Sequence, residues 1–309
     1  MERGSMDISL TNLIYPYFIV SGKNIKDEIK SFPGFYRFSI DRLIKDIRQI
    51  NGLGLNKILL FGIPKQKDNF GSLAYEENNI VVLAISKIKA EFPNLVVMTD
   101  VCLCAYTKHG HCGILQPGKK EIDKKTTLGI LSKIALAHAR AGADWVAPSA
   151  MAKGQVLAIR KALGKGGFKK TKILGYSAKF NSNFYGPFRN AANSAPAFGD
   201  RSAYQLDYSN APGALKKIEE DIGSGADMVM VKPALSYLDI IKEAKQKFNY
   251  PLAAYNVSAE YALVKYGAKQ GLWDERKMVS EILTSIKRAG ADFIITYHAK
   301  DIAQWQKKQ

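Results

Sequence analysis

The sequence predicts an α/β fold, a single (β/α)8 (TIM) barrel over residues 10–309 behind a short N-terminal extension at residues 1–9. Three observations carry this reading. Eight short apolar runs alternate with helical patterns along the chain. Those runs are rich in Val, Ile and aromatic residues, and mostly non-alternating, as parallel strands covered on both faces should be. A Gly-Ala-Asp signature recurs where a helix hands over to a strand, at Gly142-Ala143-Asp144, Gly225-Ala226-Asp227 and Gly290-Ala291-Asp292. Its glycine supplies the left-handed residue that ends a helix. The copies are unevenly spaced, which excludes a solenoid repeat.

The expected strands are 14–20, 57–61, 95–99, 144–147, 172–177, 227–232, 251–255 and 292–297. Between them, Ser39 is placed to cap a helix whose stripe is Ile40, Leu43, Ile44, Ile47 and Ile50. Residues 127–141 carry Leu128, Leu131, Ile134 and Ala135 on one face. Pro212 suits the first turn of a helix over 212–223, with Leu215, Ile218 and Ile222 inward. Residues 276–289 place Val279, Ile282, Leu283 and Ile286 together. A doubly wound open sheet is the competing arrangement, but no glycine-rich phosphate loop follows the first strand.

Composition bounds the function. The 309 residues are 47% hydrophobic, enough for a sizeable core, yet no run approaches 18 apolar residues, so no membrane span is expected. Net charge is +17, which raises nucleic acid as a partner. The lysines are scattered as pairs such as Lys119-Lys120 and Lys169-Lys170, without a nucleic-acid motif, and read as a solvated surface. No nucleic-acid partner is expected. The first residues lack the pattern of a secretory signal, and an odd number of cysteines favours a reducing, cytoplasmic setting.

All three cysteines, Cys102, Cys104 and Cys112, fall in one stretch, after Asp100 and around His109-Gly110-His111. On an extended backbone the first two sulfurs leave one face, and the turn returns the third. Three thiolates suit a zinc ion with one open position. Buried inert thiols, or a disulfide, are the plainer reading.

In a barrel of this kind chemistry collects at the C-terminal strand ends. Lys179 and Lys232 end the fifth and sixth expected strands, where a lysine is costly to bury. Two ammonium groups on adjacent strands depress each other's pKa, and apolar walls depress both; a neutral amine is what a Schiff-base nucleophile needs. The plainer reading has them reach solvent at the rim. Arg189 and Arg201, in the long stretch between these lysines, suit small carboxylates, since the guanidinium fork matches two oxygens.

At these residues the chain closely resembles the porphobilinogen synthase, or 5-aminolevulinate dehydratase, family. The matching segments are TDVCLCAYTKHGHCGIL (99–115), YSAKFNSNFYGPFR (176–189), FGDRSAYQ (198–205), GADMVMVKPALSYLDII (225–241) and AYNVSAEYALVK (254–265). The resemblance spans nearly the whole chain from about Leu10. It implies a barrel fold and the condensation of two 5-aminolevulinate molecules to porphobilinogen, losing two waters, in tetrapyrrole (haem) synthesis. It implies that Lys232 forms a Schiff base with the first substrate and Lys179 with the second, and that Asp100 supports proton transfer. Ser258 and Tyr297 are implied to hold the first carboxylate, and Arg189, Arg201 and Gln205 the second. Cys102, Cys104 and Cys112 are implied to bind Zn2+, and a homo-oligomer is implied.

Some positions depart from the family pattern. Lys153 stands where an Asp is usual, Asn190 where an acid follows the arginine, and Asn256-Val257-Ser258-Ala259 where Gln-Val-Ser-Gly is usual. These motivate an alternative, a relative that binds ligand or metal without completing the condensation. Lys217 occupies the position of a glutamate that holds an activating magnesium ion in many bacterial relatives, so that additional Mg2+ site is expected to be absent. The first strand begins near Ile14, so little of the family's N-terminal arm is expected, and an assembly smaller than the family's octamer.

Overall fold

The computed structural model describes residues 8–308. Most of the expected extension, residues 1–7, lies outside the described residues. Ile8 is buried, and its carbonyl accepts a hydrogen bond from Gln306.

The strands are β1 (Leu13–Val20), β2 (Lys26–Glu28), β3 (Tyr36–Phe38), β4 (Lys57–Ile63), β5 (Val96–Val101), β6 (Trp145–Pro148), β7 (Lys172–Lys179), β8 (Met228–Lys232), β9 (Leu252–Asn256) and β10 (Phe293–Thr296). The α-helices are α1 (Ile40–Gly52), α2 (Ile80–Glu91), α3 (Lys124–Arg140), α4 (Gln155–Lys165), α5 (Gly186–Ala191), α6 (Ala211–Gly223), α7 (Leu238–Phe248), α8 (Ser258–Lys269), α9 (Glu275–Ala289) and α10 (Ala299–Lys307). Strands β1 and β4–β10 pair in parallel in chain order, and β10 pairs back onto β1. The barrel is therefore closed, and each of the eight expected apolar runs is one of its strands. The strands are almost wholly buried, which is why their sequences do not alternate.

One element was not expected. Strand β2 pairs antiparallel with β3, and β3 pairs with the end of β1, so a small hairpin hangs from the C-terminal rim. Three-residue strands are too short to leave a period in sequence, and β2 is fully exposed.

The expected helices form with two corrections. Ser39 stands at the N-cap of α1 but makes no cap bond; its hydroxyl accepts from the Ile25 amide and donates to Asp41. Leu128 is only half-buried, and Ile130 takes the inward place on α3. Pro212 does sit in the first turn of α6. Among the described residues no helix is long and apolar enough to cross a membrane.

The recurrent Gly-Ala-Asp signature closes the N-terminal rim. Gly142, Gly225 and Gly290 have φ of 103°, 90° and 121°, a region that favours glycine. Each aspartate that follows donates its amide to the first turns of the neighbouring strand, at Val97, Ile173 and Leu252. Each carboxylate accepts from the amide of that same residue at 2.7–2.8 Å. Each also pairs with a cation from the helix before that strand: Lys89 of α2, Arg160 of α4 and Lys245 of α7. One side chain thus joins two strands and a helix. Removing it leaves an inward strand N–H unpaired, which costs about 1–3 kcal/mol. Asp292→Ala is expected to lower the unfolding free energy by that amount, read by circular dichroism as a lower urea midpoint with an unchanged slope. An unshifted midpoint would show that the clamp is not stabilising.

Candidate active site

Strand β7 carries an irregularity that aims a catalytic candidate. Its register against β8 shifts between Gly175 and Ala178, so one extra residue enters the strand. A bulge of this kind re-aims the side chains beyond it. Without it Ala178 would stand opposite Lys232; with it, Lys179 does. Both lysines are buried, at 6% and 5% exposure, and not at a solvated rim. Both ammonium groups face the ring of Tyr176, Lys179 at 5.7 Å and Lys232 at 5.1 Å from its centroid.

Their surroundings differ. Lys179 donates to the Ser149 carbonyl at 2.6 Å, just past β6. Lys232 lies among aromatic faces, with Tyr255 at 4.1 Å, Phe188 at 5.1 Å and Tyr185 at 5.3 Å. Cation–π attraction compensates part of the lost hydration. Burial, with the neighbouring Lys179 charge, pulls the Lys232 pKa down to about 7. Asp100, at the end of β5, has a shielded and unpartnered Oδ1. Loss of solvation raises its pKa to about 6, against the Ser149 hydroxyl and both lysines, which favour the carboxylate.

The three cysteines are free and buried. Strand β5 ends at Val101, so Cys102 and Cys104 lie in the following turn, not on the extended backbone expected. The turn still brings their sulfurs to 3.5 Å, and all three sulfurs lie within 4.8 Å of one another. Hydrogen bonds from Cys102 and Cys104, then the Arg201 and Lys179 charges, hold the Cys112 thiol well below its usual range. Three soft donors gathered beside Asp100 fit a thiolate-bound zinc ion.

Arg201 and Gln205 are buried, and Arg189 is partly so. Arg201 is pinned by the Gly110 and Ser194 carbonyls. The Nε atoms of Arg189 and Arg201 and both amide atoms of Gln205 are shielded and unpartnered. Burial, and then the Arg201 charge, lowers the Arg189 pKa, so the two guanidinium groups are neighbours. The unpaired guanidinium N–H groups and the Gln205 amide N–H are costly to bury unmet and match a carboxylate. By contrast, Ser258 and Tyr297 are already engaged. The Ser258 hydroxyl accepts from Phe188 N and donates to the Phe184 carbonyl, and the Tyr297 hydroxyl meets that of Tyr255 at 2.9 Å. Both flank the Lys232 cage through those residues.

The segment 181–205 covers this centre. Its ends are tied where Asn181 donates to Leu206 and Leu206 to Lys179. Arg37 of β3 holds its middle through the Asn190 and Ala191 carbonyls. The cavity left beside Asp100 and the thiols is about 20 Å3, room for one water, so the segment must open to admit a ligand. Sequence reasoning missed the aromatic cage and Ser149. The available signal was the aromatic residues at strand ends, in Tyr176-Ser177-Ala178-Lys179 and Tyr255-Asn256.

Comparison with known proteins agrees with this geometry. The family model for delta-aminolevulinic acid dehydratase matches residues 3–305. The chain is similar to a delta-aminolevulinic acid dehydratase of Methanothermus sociabilis, 52% identical over 297 residues, covering 96% of this chain and 92% of the relative. It is similar also to one of Archaeoglobus fulgidus, 50% identical, covering 96% and 91%. A solved delta-aminolevulinic acid dehydratase of Toxoplasma gondii, in complex with the product porphobilinogen, superposes with a TM-score of 0.95. It is 39% identical, and the match covers 96% of this chain and 85% of that one. The chain belongs to the delta-aminolevulinic acid dehydratase family.

Proposed function

We propose that this protein is a porphobilinogen synthase, condensing two 5-aminolevulinate molecules to porphobilinogen with release of two waters. The observation that carries this is the pair of buried lysines set opposite each other by the β7 bulge, beside three converging thiols. Lys232 is the nucleophile poised near neutrality. Its amine attacks the ketone of the first substrate, and water leaves as the imine forms. The pinned Arg201, with the unpartnered Arg189 and Gln205, seats the carboxylate of the second substrate so that Lys179 meets its ketone. Ser258 and Tyr297 seat the first carboxylate by exchanging the protein partners they now hold. Asp100 stands between the lysines and the thiols to move protons. Cys102, Cys104 and Cys112 would hold zinc, whose Lewis acidity polarises a substrate oxygen. The closed segment excludes water from the imines.

The alternative of a relative that binds without condensing is not favoured. Lys153 and Asn190 are exposed, and Asn190 meets Arg37 only through its carbonyl. Asn256 is held by Glu260 and Thr296. Self-association belongs to the proposal, supported by exposed Leu263, Tyr266 and Leu272 on and just after α8.

Three outcomes are expected. Purified, reduced protein forms porphobilinogen with added zinc and loses that activity on thorough chelation; retained turnover with zinc shown absent would remove zinc from the account. The rate falls as pH drops through about 7, because Lys232 gains its proton there. At pH 6 about a tenth of the amine is neutral, so a kcat/KM profile flat from pH 6 to 8 would contradict its role. Finally, Lys217 is ion-paired with buried Asp221, an ammonium in place of a divalent ion. Magnesium added at saturating zinc is therefore expected to leave the rate unchanged, and clear stimulation would refute this.

A further inference from the structure

A second, larger cleft lies outside the catalytic centre. It measures about 870 Å3, in the range of small-molecule sites. Its walls are the β5–α3 connection with the start of α3, the β6–α4 connection, the outer side of residues 198–206, and α6. His111 and Cys112 line it, but neither catalytic lysine does.

The cleft is lined by Lys120, Lys124, Lys153, Lys216 and Lys217, against three carboxylates. Lys217 is committed to Asp221, and the Lys120 ammonium lies 5.3 Å from the centroid of the Phe198 ring. Among the described residues, Lys124, Lys153 and Lys216 have neither an ion pair nor a hydrogen-bond partner for their ammonium groups. They come from three different walls. Between them the lining is apolar, at Ile122, Ala150, Met151 and Leu206. Lys153 and Lys217, two of the positions that depart from the family pattern, both line this cleft.

We propose that the cleft binds an organic anion carrying two or more carboxylates on an apolar body. Three separated ammonium groups act as point charges, and a monocarboxylate would meet only one of them. The apolar lining and the volume exceed what a lone inorganic phosphate would fill. A ligand seated here leans on residues 198–206, whose other side delivers Arg201 and Gln205 to the catalytic centre, so occupancy is coupled to that segment.

The test is calorimetric titration of the full chain with benzene-1,3,5-tricarboxylate at low salt. Saturable one-to-one binding is expected. It should weaken at least tenfold in the Lys124→Gln/Lys153→Gln/Lys216→Gln variant, weaken with added salt, and persist in Lys232→Met. Should the triple variant fail to fold, Lys153→Glu alone is expected to weaken binding. No saturable binding to the unaltered protein, or equal binding to a folded lysine variant, would overturn the proposal. The readout needs no turnover, so it stands or falls apart from the assigned reaction.

Discussion

Two lysine side chains held out of water on adjacent strands impose the central constraint on this molecule. An ammonium ion buried without compensation is costly, and a second one beside it is worse. The structure resolves the conflict unequally. Lys179 keeps a carbonyl acceptor at Ser149, whereas Lys232 has only ring faces. Lowering the Lys232 pKa from the ordinary lysine value to about 7 corresponds to roughly 5 kcal/mol in favour of the neutral amine. The same arrangement that would destabilise a structural lysine makes this one a nucleophile. The covering segment, the cage and the small residual cavity all serve to keep water from restoring its charge.

Such a site needs a rigid frame, because a shift of one residue in register would exchange Lys179 for Ala178. Closure of the barrel fixes strand order, and the aspartate clamps at the N-terminal rim fix the starts of β5, β7 and β9. Stability is therefore concentrated at the rim opposite the chemistry, as is general for this architecture. The bulge in β7 then acts locally at the catalytic rim, without disturbing the pairing below it.

The strands were legible because burial on both faces leaves continuous Val- and Ile-rich runs. Helix α2 was not, since it opens Ile80-Val81-Val82-Leu83-Ala84-Ile85, a run apolar on several faces whose period is masked. Its start is set by Asn79, which accepts from the Val81 and Val82 amides. In the site, the lysines, arginines and cysteines were legible from residue type and position, and their roles from a resemblance. The bulge was not, because an extra residue in a strand has no signature in a single sequence. Nor could sequence show that Ser258 is already hydrogen-bonded to the closed segment and Tyr297 to Tyr255 of β9. The convergence of Lys153 and Lys217 on one cleft needed the fold, since they are far apart in the chain.

The most direct test of the central claim is borohydride trapping of a substoichiometric amount of 5-aminolevulinate on the protein at pH 7–8, with the adduct mapped by peptide mass spectrometry. The account predicts a single reduced imine on Lys232, the lysine with the depressed pKa. Trapping on Lys179 alone, or on no lysine of the barrel, would contradict it.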